Sequence, residues 1–398
     1  MATTEIEVTY RVTTPMFCGG ANQQEAELRL PSFKGVLRFW WRALAWSRLQ
    51  GDLTAIKSEE DALFGSADGR RARVSMRLDT ACRPETIPVN EVLTIPSRKG
   101  KVGEGARCLG YGVMHAFDSR QSGAKAGQLT RACLRAPFRF TVRMRGRNLN
   151  PAELRSLSHA LIALGVFGGM GAKSRKGYGS LVMESLRLDN QEAWQAPQSI
   201  GELCDRIGRL RPNHGPDGWP DYTALTHTTR HVLATADRAE PLEVLDLVGR
   251  EMVRYRSWGH KEKVFGQRSE QIFKDDHDLM KSPSHARNSH PRRIAFGLPH
   301  NYGSGSDSQV GPAERDFDRR ASPLFIHIHE CGATPVAVLS FLPARFLPEG
   351  KSDISVGGKK VPQEPESELY RPIHGFLDRL LDPNRRKEIF VQVVEAPS

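Results

Sequence analysis

Residues 168–179, Gly-Gly-Met-Gly-Ala-Lys-Ser-Arg-Lys-Gly-Tyr-Gly, set glycines and cations side by side. Gly169 and Gly171 let a backbone come close to a phosphate. Lys173, Arg175 and Lys176 supply charge, and Ser174 stands among them with a hydroxyl. The chemistry this predicts is anion binding. It is not that of a Walker A loop, which needs Gly where this chain has Ala172 and runs from strand to helix rather than from helix to strand. Lys176-Gly177-Tyr178-Gly179 matches the opening of an RNA-recognition signature, but Ser180 and Leu181 follow it, so the stacking pair of aromatics is missing. A plain flexible turn is the competing reading, and such a turn has no need of so many cations.

A second group lies near the N-terminus. At 100° per residue, Phe33, Leu37, Trp40 and Leu44 share one helical face and are expected to pack on a sheet. Lys34, Arg38 and Arg42 form an i, i+4, i+8 row beside it, with Trp41 on its edge. A basic stripe next to an aromatic suits a single-stranded nucleic acid, through phosphate contacts and base stacking. A solvated charged face with a core tryptophan is the alternative. Farther along, Arg250 and Arg254 stand one turn apart, followed by Arg256, Lys261 and Lys263. Arg292-Arg293 and Arg319-Arg320 punctuate a long polar stretch. These are candidate phosphate contacts, and each reads equally well as solvated charge.

Catalytic groups are harder to assemble. His327-x-His329 on a strand points two rings to one side, a possible metal pair, but no acidic ligand stands at metal-site spacing. No metal or cofactor is therefore expected. His115, His159 and the histidines from His277 to His300 have no evident pairing. Metal-independent RNA cleavage could use a His or an acid such as Asp118, yet the sequence supplies no geometry for either.

The elements that must position these residues follow one order twice. Glu5 to Thr13 alternates as a half-buried strand, and Pro31-Ser32 opens a helix to Arg48 with Ser32 placed to cap it. Strands follow at Arg73 to Leu78 and Phe138 to Met144. A second helix starts with Asn150, Pro151 and Glu153 in a capping-box pattern, and Ser180 to Leu188 closes the set. Asp189 to Tyr222 reads as a linker. The second pass runs through a strand near Thr226 to Thr235, a helix from Pro241, strands at Pro323 to Glu330 and Pro335 to Leu342, a helix near Leu369 to Leu381 and a strand at Ile389 to Val394. Its opening strand alternates poorly. The expected fold class is α+β, with two tandem ferredoxin-like (βαββαβ, RRM-like) domains, residues 1–190 and 191–398. Long insertions occupy Thr80 to Arg135 and the basic, His-rich Ser257 to Arg320.

The 398 residues suffice for two such domains, and 39% hydrophobic content predicts a folded chain. A net charge of +11 favours a polyanionic partner. Nucleic acid leads a membrane, since Ala160 to Met170, the longest apolar stretch, is too short and glycine-rich to span a bilayer. The first residues lack the features of a signal peptide. Six cysteines, at 18, 82, 108, 133, 204 and 331, show no C-x-x-C spacing, so a reduced cytoplasmic protein is expected.

Residues 30–42, Leu-Pro-Ser-Phe-Lys-Gly-Val-Leu-Arg-Phe-Trp-Trp-Arg, resemble the first-helix motif of the CRISPR RAMP superfamily. The Phe-Trp-Trp-Arg ending is similar to that of the subunit numbered one of the type III-B Cmr complex. Glu60 to Gly65, the glycine-rich loop, Arg292 to Pro299 and Arg319 to Leu324 fit the same likeness, which covers most of the chain. It implies a non-catalytic subunit of a ribonucleoprotein effector that contacts the 3′ region of the guide RNA, helps capture single-stranded target RNA in antiviral defence and assembles with other RAMP subunits. It also implies that Lys34, Arg38, Trp41, Arg42, Lys173, Arg175 and Lys176 lead the RNA contacts. The alternative is a RAMP endoribonuclease that matures guide RNA. Such nucleases often place a His on or near the first helix, where this chain has none between Ser32 and Leu49. A scaffold that contacts only protein fits the cationic loop least.

Overall fold

In a computed structural model describing all residues except Met1, Gln23, 80–82, 96–99, His260, Ser304, Arg315 and Ser398, alternation builds the first sheet directly. In β1 (Thr3–Val12), Ile6, Val8, Tyr10 and Val12 are buried on one face. They lie under α1 (Leu30–Arg48), which α2 (Leu53–Phe64) flanks before the strand β2 (Val74–Asp79). A short α3 (Glu104–Leu109) precedes β3 (Phe138–Arg147), α4 (Pro151–Phe167) and β4 (Leu181–Leu188). The strands are antiparallel in the order β2-β3-β1-β4, with Ile6 opposite Met144. Tyr10 ties this sheet to α4 through a hydroxyl that donates to the Leu161 carbonyl at 2.8 Å.

Four expectations are corrected. Ser32 does not cap α1. The helix begins at Leu30, with Pro31 in its first turn and Arg29 at the cap position without a side-chain bond, so Ser32 is already helical. The helix α2, unanticipated, starts where Asp52 accepts from the amides of Thr54 and Ala55. The expected linker 189–222 instead holds β5 (Gln191–Gln195), which extends the first sheet, and α5 (Ile200–Leu210). Trp194 of β5 is buried in the first core, as are Leu203, Ile207 and Leu210 of α5, a three-to-four-residue helical spacing hidden among Gln, Pro and Gly. The first insertion, whose opening Thr80 and Cys82 lie outside the described residues, contains α3 rather than irregular chain alone.

The second sheet comprises β6 (Arg230–Thr235), β9 (Leu324–Cys331), β10 (Thr334–Phe341) and β13 (Gln392–Glu395). Between them come α6 (Pro241–Arg256), α7 (Lys274–Lys281), and a small separate sheet of β7 (His300–Asn301), β8 (Gln309–Pro312), β11 (Ile354–Val356) and β12 (Lys359–Val361). The helix α8 (Arg371–Leu381) precedes β13. The order β9-β10-β6-β13 repeats that of the first sheet. Both faces of this sheet are covered. Val232, Ala234, Ile326 and Leu339 join the core under α6 and α8, whereas Leu233, Phe325, Val336 and Val338 join the core of the first sheet. Two glycines bring the first insertion onto this half: a Cβ on Gly105 of α3 would collide with the Asp246 carbonyl of α6, and one on Gly249 with the Gly105 carbonyl.

Candidate nucleic-acid interface

The glycine-rich loop leaves α4 at Gly168 and enters β4 after Gly179, running between the two sheets. Its backbone is largely committed to the fold. Met170, Ala172 and Gly179 donate to the carbonyls of Gly179, Phe17 and Pro15 at 2.9, 2.8 and 3.0 Å. Gly171 adopts φ +94°, and a Cβ there would stand 2.6 Å from the Phe17 carbonyl oxygen. Gly169 bridges to Ser180. The glycines therefore serve close packing and leave the charge to the side chains, which corrects the expectation of a backbone cradle formed by Gly169 and Gly171.

The three loop cations differ. Arg175 is folded inward: its guanidinium lies over the rings of Phe325 (4.5 Å) and Phe39 (5.3 Å) and donates to the Ser322 carbonyl at 3.0 Å. Burial, then the charge of Arg320, pushes it down to about 10. Arg175 thus clamps the loop to β9 and α1. Lys176 is buried at its Nζ. Lys173 is half-buried, and burial followed by the charges of Arg131 and Arg319 lowers its pKa. Arg131 is exposed and lies in the first insertion, where no periodicity marked it. Ser174 shares a small cleft with Gly35 and Val36 of α1, which brings the neighbourhood of Lys34 to the loop.

On α1 the expected stripe is half spent. Lys34 is partly exposed. Arg38 Nε and Arg42 Nη1 both reach Glu60 Oε1 of α2, at 2.6 and 2.5 Å, and Glu60 is buried. Trp41 is corrected outright. It is 1% exposed, donates from Nε1 to Ser156 Oγ at 3.2 Å and packs edge-on to Phe64, so no base can stack on it. Fewer positions of α1 face solvent than a lone amphipathic helix would show, because α2 covers the flank.

The C-terminal candidates divide likewise. Arg254 is buried between Glu388 (3.2 Å) and Gln267 (3.0 Å), with Arg250 on the same carboxylate at 2.8 Å. The amides of Arg292 and Arg293 both donate to Asp276 at 2.9 Å, and the Arg293 guanidinium covers Tyr302 at 4.4 Å. Arg254 and Arg293, counted as RNA contacts from sequence, hold the second half together through acids distant in sequence, whereas Arg292, tied by its amide, keeps an exposed side chain with Asp275 at 3.5 Å. Arg319 is exposed, with Asp318 at 3.7 Å, and Arg320 is half-buried behind it. The alternating arginines of β3 face solvent but pair with acids on other strands of the sheet, Arg139 with Glu184 of β4 at 2.6 Å and Arg143 with Glu7 of the adjacent β1 at 3.0 Å.

His327 and His329 are buried side by side, Nε2 of one 3.2 Å from Nδ1 of the other, with His327 Nδ1 2.8 Å from the Gly168 carbonyl. Among the described residues no group of three or more His, Cys, Asp or Glu is placed to hold a metal ion. No helix among them is long and apolar enough to cross a membrane.

Residues 9–182 match the model of the RAMP superfamily. Over 340 residues the chain is 25% identical to the CRISPR system Cmr subunit Cmr1-1 of Pyrococcus furiosus, spanning 82% of this chain and 83% of that protein. It is 38% identical over 66 residues to Cmr1-2 of the same organism, 17% of this chain and 35% of that one. The crystal structure of Cmr1 from Pyrococcus furiosus in its apo form aligns over 100% of this chain and 99% of its own, with TM-score 0.54 and 19% identity. A chain of the cryo-EM structure of Type III-B Cmr-beta bound to cognate target RNA and AMPPnP, in the presence of ssDNA, aligns over 95% and 99%, with TM-score 0.51 and 12% identity. The resemblance read from the first helix is thereby shown, and the two structures share the fold.

Proposed function

We propose that this chain, similar over most of its length to the Cmr1 subunit of CRISPR systems and matched in residues 9–182 by the RAMP superfamily, is a non-catalytic RNA-binding subunit of a type III-B effector. It contacts the 3′ region of the guide RNA, helps capture target RNA in antiviral defence, and works in the cytoplasm beside other RAMP subunits. The observation that carries this reading is the setting of Lys173. The side-chain charges acting on it, Arg131 and Arg319, are both cationic, and both of those residues are exposed. Cations gathered with only the exposed Asp318 beside them, 3.7 Å from Arg319, are costly to the isolated protein and favourable to a polyanion. The partly exposed Lys34, close by on α1, extends the same surface.

On this reading the two sheets are tandem ferredoxin-like domains divided near residue 190, an assignment supported by their identical strand order. The elements β5 and α5 reach back over that division to complete the first core. Sequence-blind phosphate contacts suffice, since base pairing in the assembled complex supplies specificity.

The test is binding of the full chain to labelled single-stranded RNA across a salt series, with each sample also run on a sequencing gel. A Lys34→Gln/Arg131→Gln/Arg319→Gln variant should bind more weakly, with a log–log salt slope shallower by about 2, from ~0.7 per phosphate contact on single strands. The RNA should remain full length. A variant indistinguishable from wild type would move the interface elsewhere, and shortened RNA would make the protein a nuclease.

A further inference from the structure

A cavity of about 330 Å³ opens between the glycine-rich loop, α3 and the C-terminal end of α6. Lys173, Lys176, Arg256, Arg320, His300 and Tyr111 contribute to its lining. Lys176 Nζ, Arg256 Nε and Arg320 Nε are all buried and without a hydrogen-bond partner among the described residues. One unpartnered buried cationic nitrogen is costly, and three around one cavity are a standing cost that a bound anion would relieve.

The two guanidinium groups are also held from behind. Arg256 lies over Phe296 at 4.5 Å with Nη1 3.9 Å from Met252 Sδ. Arg320 lies 5.9 Å from the Phe346 ring centre and donates from Nη2 to the Arg345 carbonyl at 3.2 Å. Such clamping keeps the remaining N–H groups directed without further loss of rotamer freedom. At the mouth, Tyr111 is 72% exposed, a large aromatic that the core does not use. Lys173 Nζ lies 3.8 Å from where a Cβ would stand on Gly112, the next residue.

We infer that this cavity seats one nucleotide of a single RNA strand, its phosphate held by Lys176, Arg256 and Arg320 and its base stacked on Tyr111. The inference rests on the RNA-binding reading and adds a built site to it. A pocket of this volume admits a single small ligand and excludes a duplex. Base–aromatic stacking beside a cationic groove is how sequence-tolerant single-strand sites are made.

The cavity has a protonic consequence. Burial first, then the charges of Arg256, Lys173 and Arg175, holds Lys176 down to about 7. Of the other groups facing the cavity, Arg256 is held at about 10, His300 at about 3 and Cys108 at about 11, all chiefly by burial, and Arg320 stands opposite. A phosphate raises the Lys176 value by adding a negative charge, so binding takes up a proton and weakens as pH rises above about 7.

The test uses the full chain, with adenosine monophosphate, inorganic phosphate and adenosine as probes of thermal stability, and fluorescein-labelled single-stranded RNA as a probe of affinity. The nucleotide should raise Tm most, phosphate less and adenosine not at all. Lys176→Gln should abolish the nucleotide shift and weaken RNA binding roughly five- to tenfold, the loss of one charge-assisted contact. Tyr111→Ala, at an exposed position where folding is not at risk, should reduce the nucleotide shift to that of phosphate. Equal nucleotide shifts in wild type and Lys176→Gln would overturn the seat, and an unchanged shift in Tyr111→Ala would overturn the stacking. If Lys176→Gln binds RNA and nucleotide as wild type does while the Lys34/Arg131/Arg319 variant is weakened, the seat fails and the RNA reading stands. If the nucleotide binds through Lys176 but RNA does not bind at all, the RNA reading fails, and with it the inference of a strand-bound nucleotide.

Discussion

At the scale of single residues, partners decide what a cation does. Lys34, Arg38 and Arg42 are equivalent by spacing, yet a buried Glu60 takes two of them and leaves the third. Glu60→Gln removes a carboxylate that accepts from two guanidinium groups and leaves like charges one turn apart. Because both arginines are about one-third exposed, solvent screens part of the loss. The expected destabilisation is about 1–2 kcal/mol, read from urea denaturation. An unchanged midpoint would show that Arg38 and Arg42 are solvated and free for RNA. Glycine shows the same dependence on surroundings: Gly171 sits in the loop because of the Phe17 carbonyl against it, not because a ligand needs its backbone.

At the scale of elements, local signals were most reliable where a helix end met water. Asn150 accepts from the Glu153 amide at 2.9 Å and Glu153 returns a bond to the Asn150 amide at 3.0 Å, the reciprocal cap expected from the sequence. Asn150→Ala should lower the unfolding free energy by about 1 kcal/mol. Near-zero loss on chemical denaturation would mean that Arg73, which also binds Glu153, holds the helix start alone. Elements whose burial depends on distant chain were less legible. The apolar face of α5 packs on the first core across a segment rich in turn-forming residues, and α3 is placed by a glycine contact with α6 some 140 residues away in sequence, the separation of Ala106 from the Asp246 that accepts from its amide.

At the scale of the molecule, the second sheet is a layer between two cores, and its histidines record that. His231 stacks on Phe167 at 4.6 Å and bonds Ser340, while His327 meets the Gly168 carbonyl. Burial holds both neutral, pushing His231 down to about 3 and His327 to about 4. The unfolded chain binds these protons first, near pH 6.5, so the two residues leave stability unaffected above about pH 6.5 and subtract from it as pH falls from there toward 4. Thermal unfolding should show a falling Tm across that window, and the ring resonances of both histidines should stay unshifted from pH 8 to 5. Titration of either ring near 6.5 in the folded protein would contradict the packing.

By itself the sequence determined the kind of element and its order wherever one face meets water: the strand β1, with Ile6, Val8, Tyr10 and Val12 inward, the arginines of β3 outward, and the capped α4. The first-helix motif also carried the family likeness. The poorly alternating β6 became intelligible only in the fold, because a strand buried on both faces loses the period that exposure imposes. The candidate site divides the same way. That the loop is cationic follows from residue types alone. Which cations are free does not, since pairing and burial are set by acids and rings remote in sequence. Tertiary structure turned Trp41 and Arg254 inward and gave Arg38 and Arg42 to Glu60. It also gathered Lys176, Arg256 and Arg320 around one cavity, because only packing brings three distant segments to a common charge.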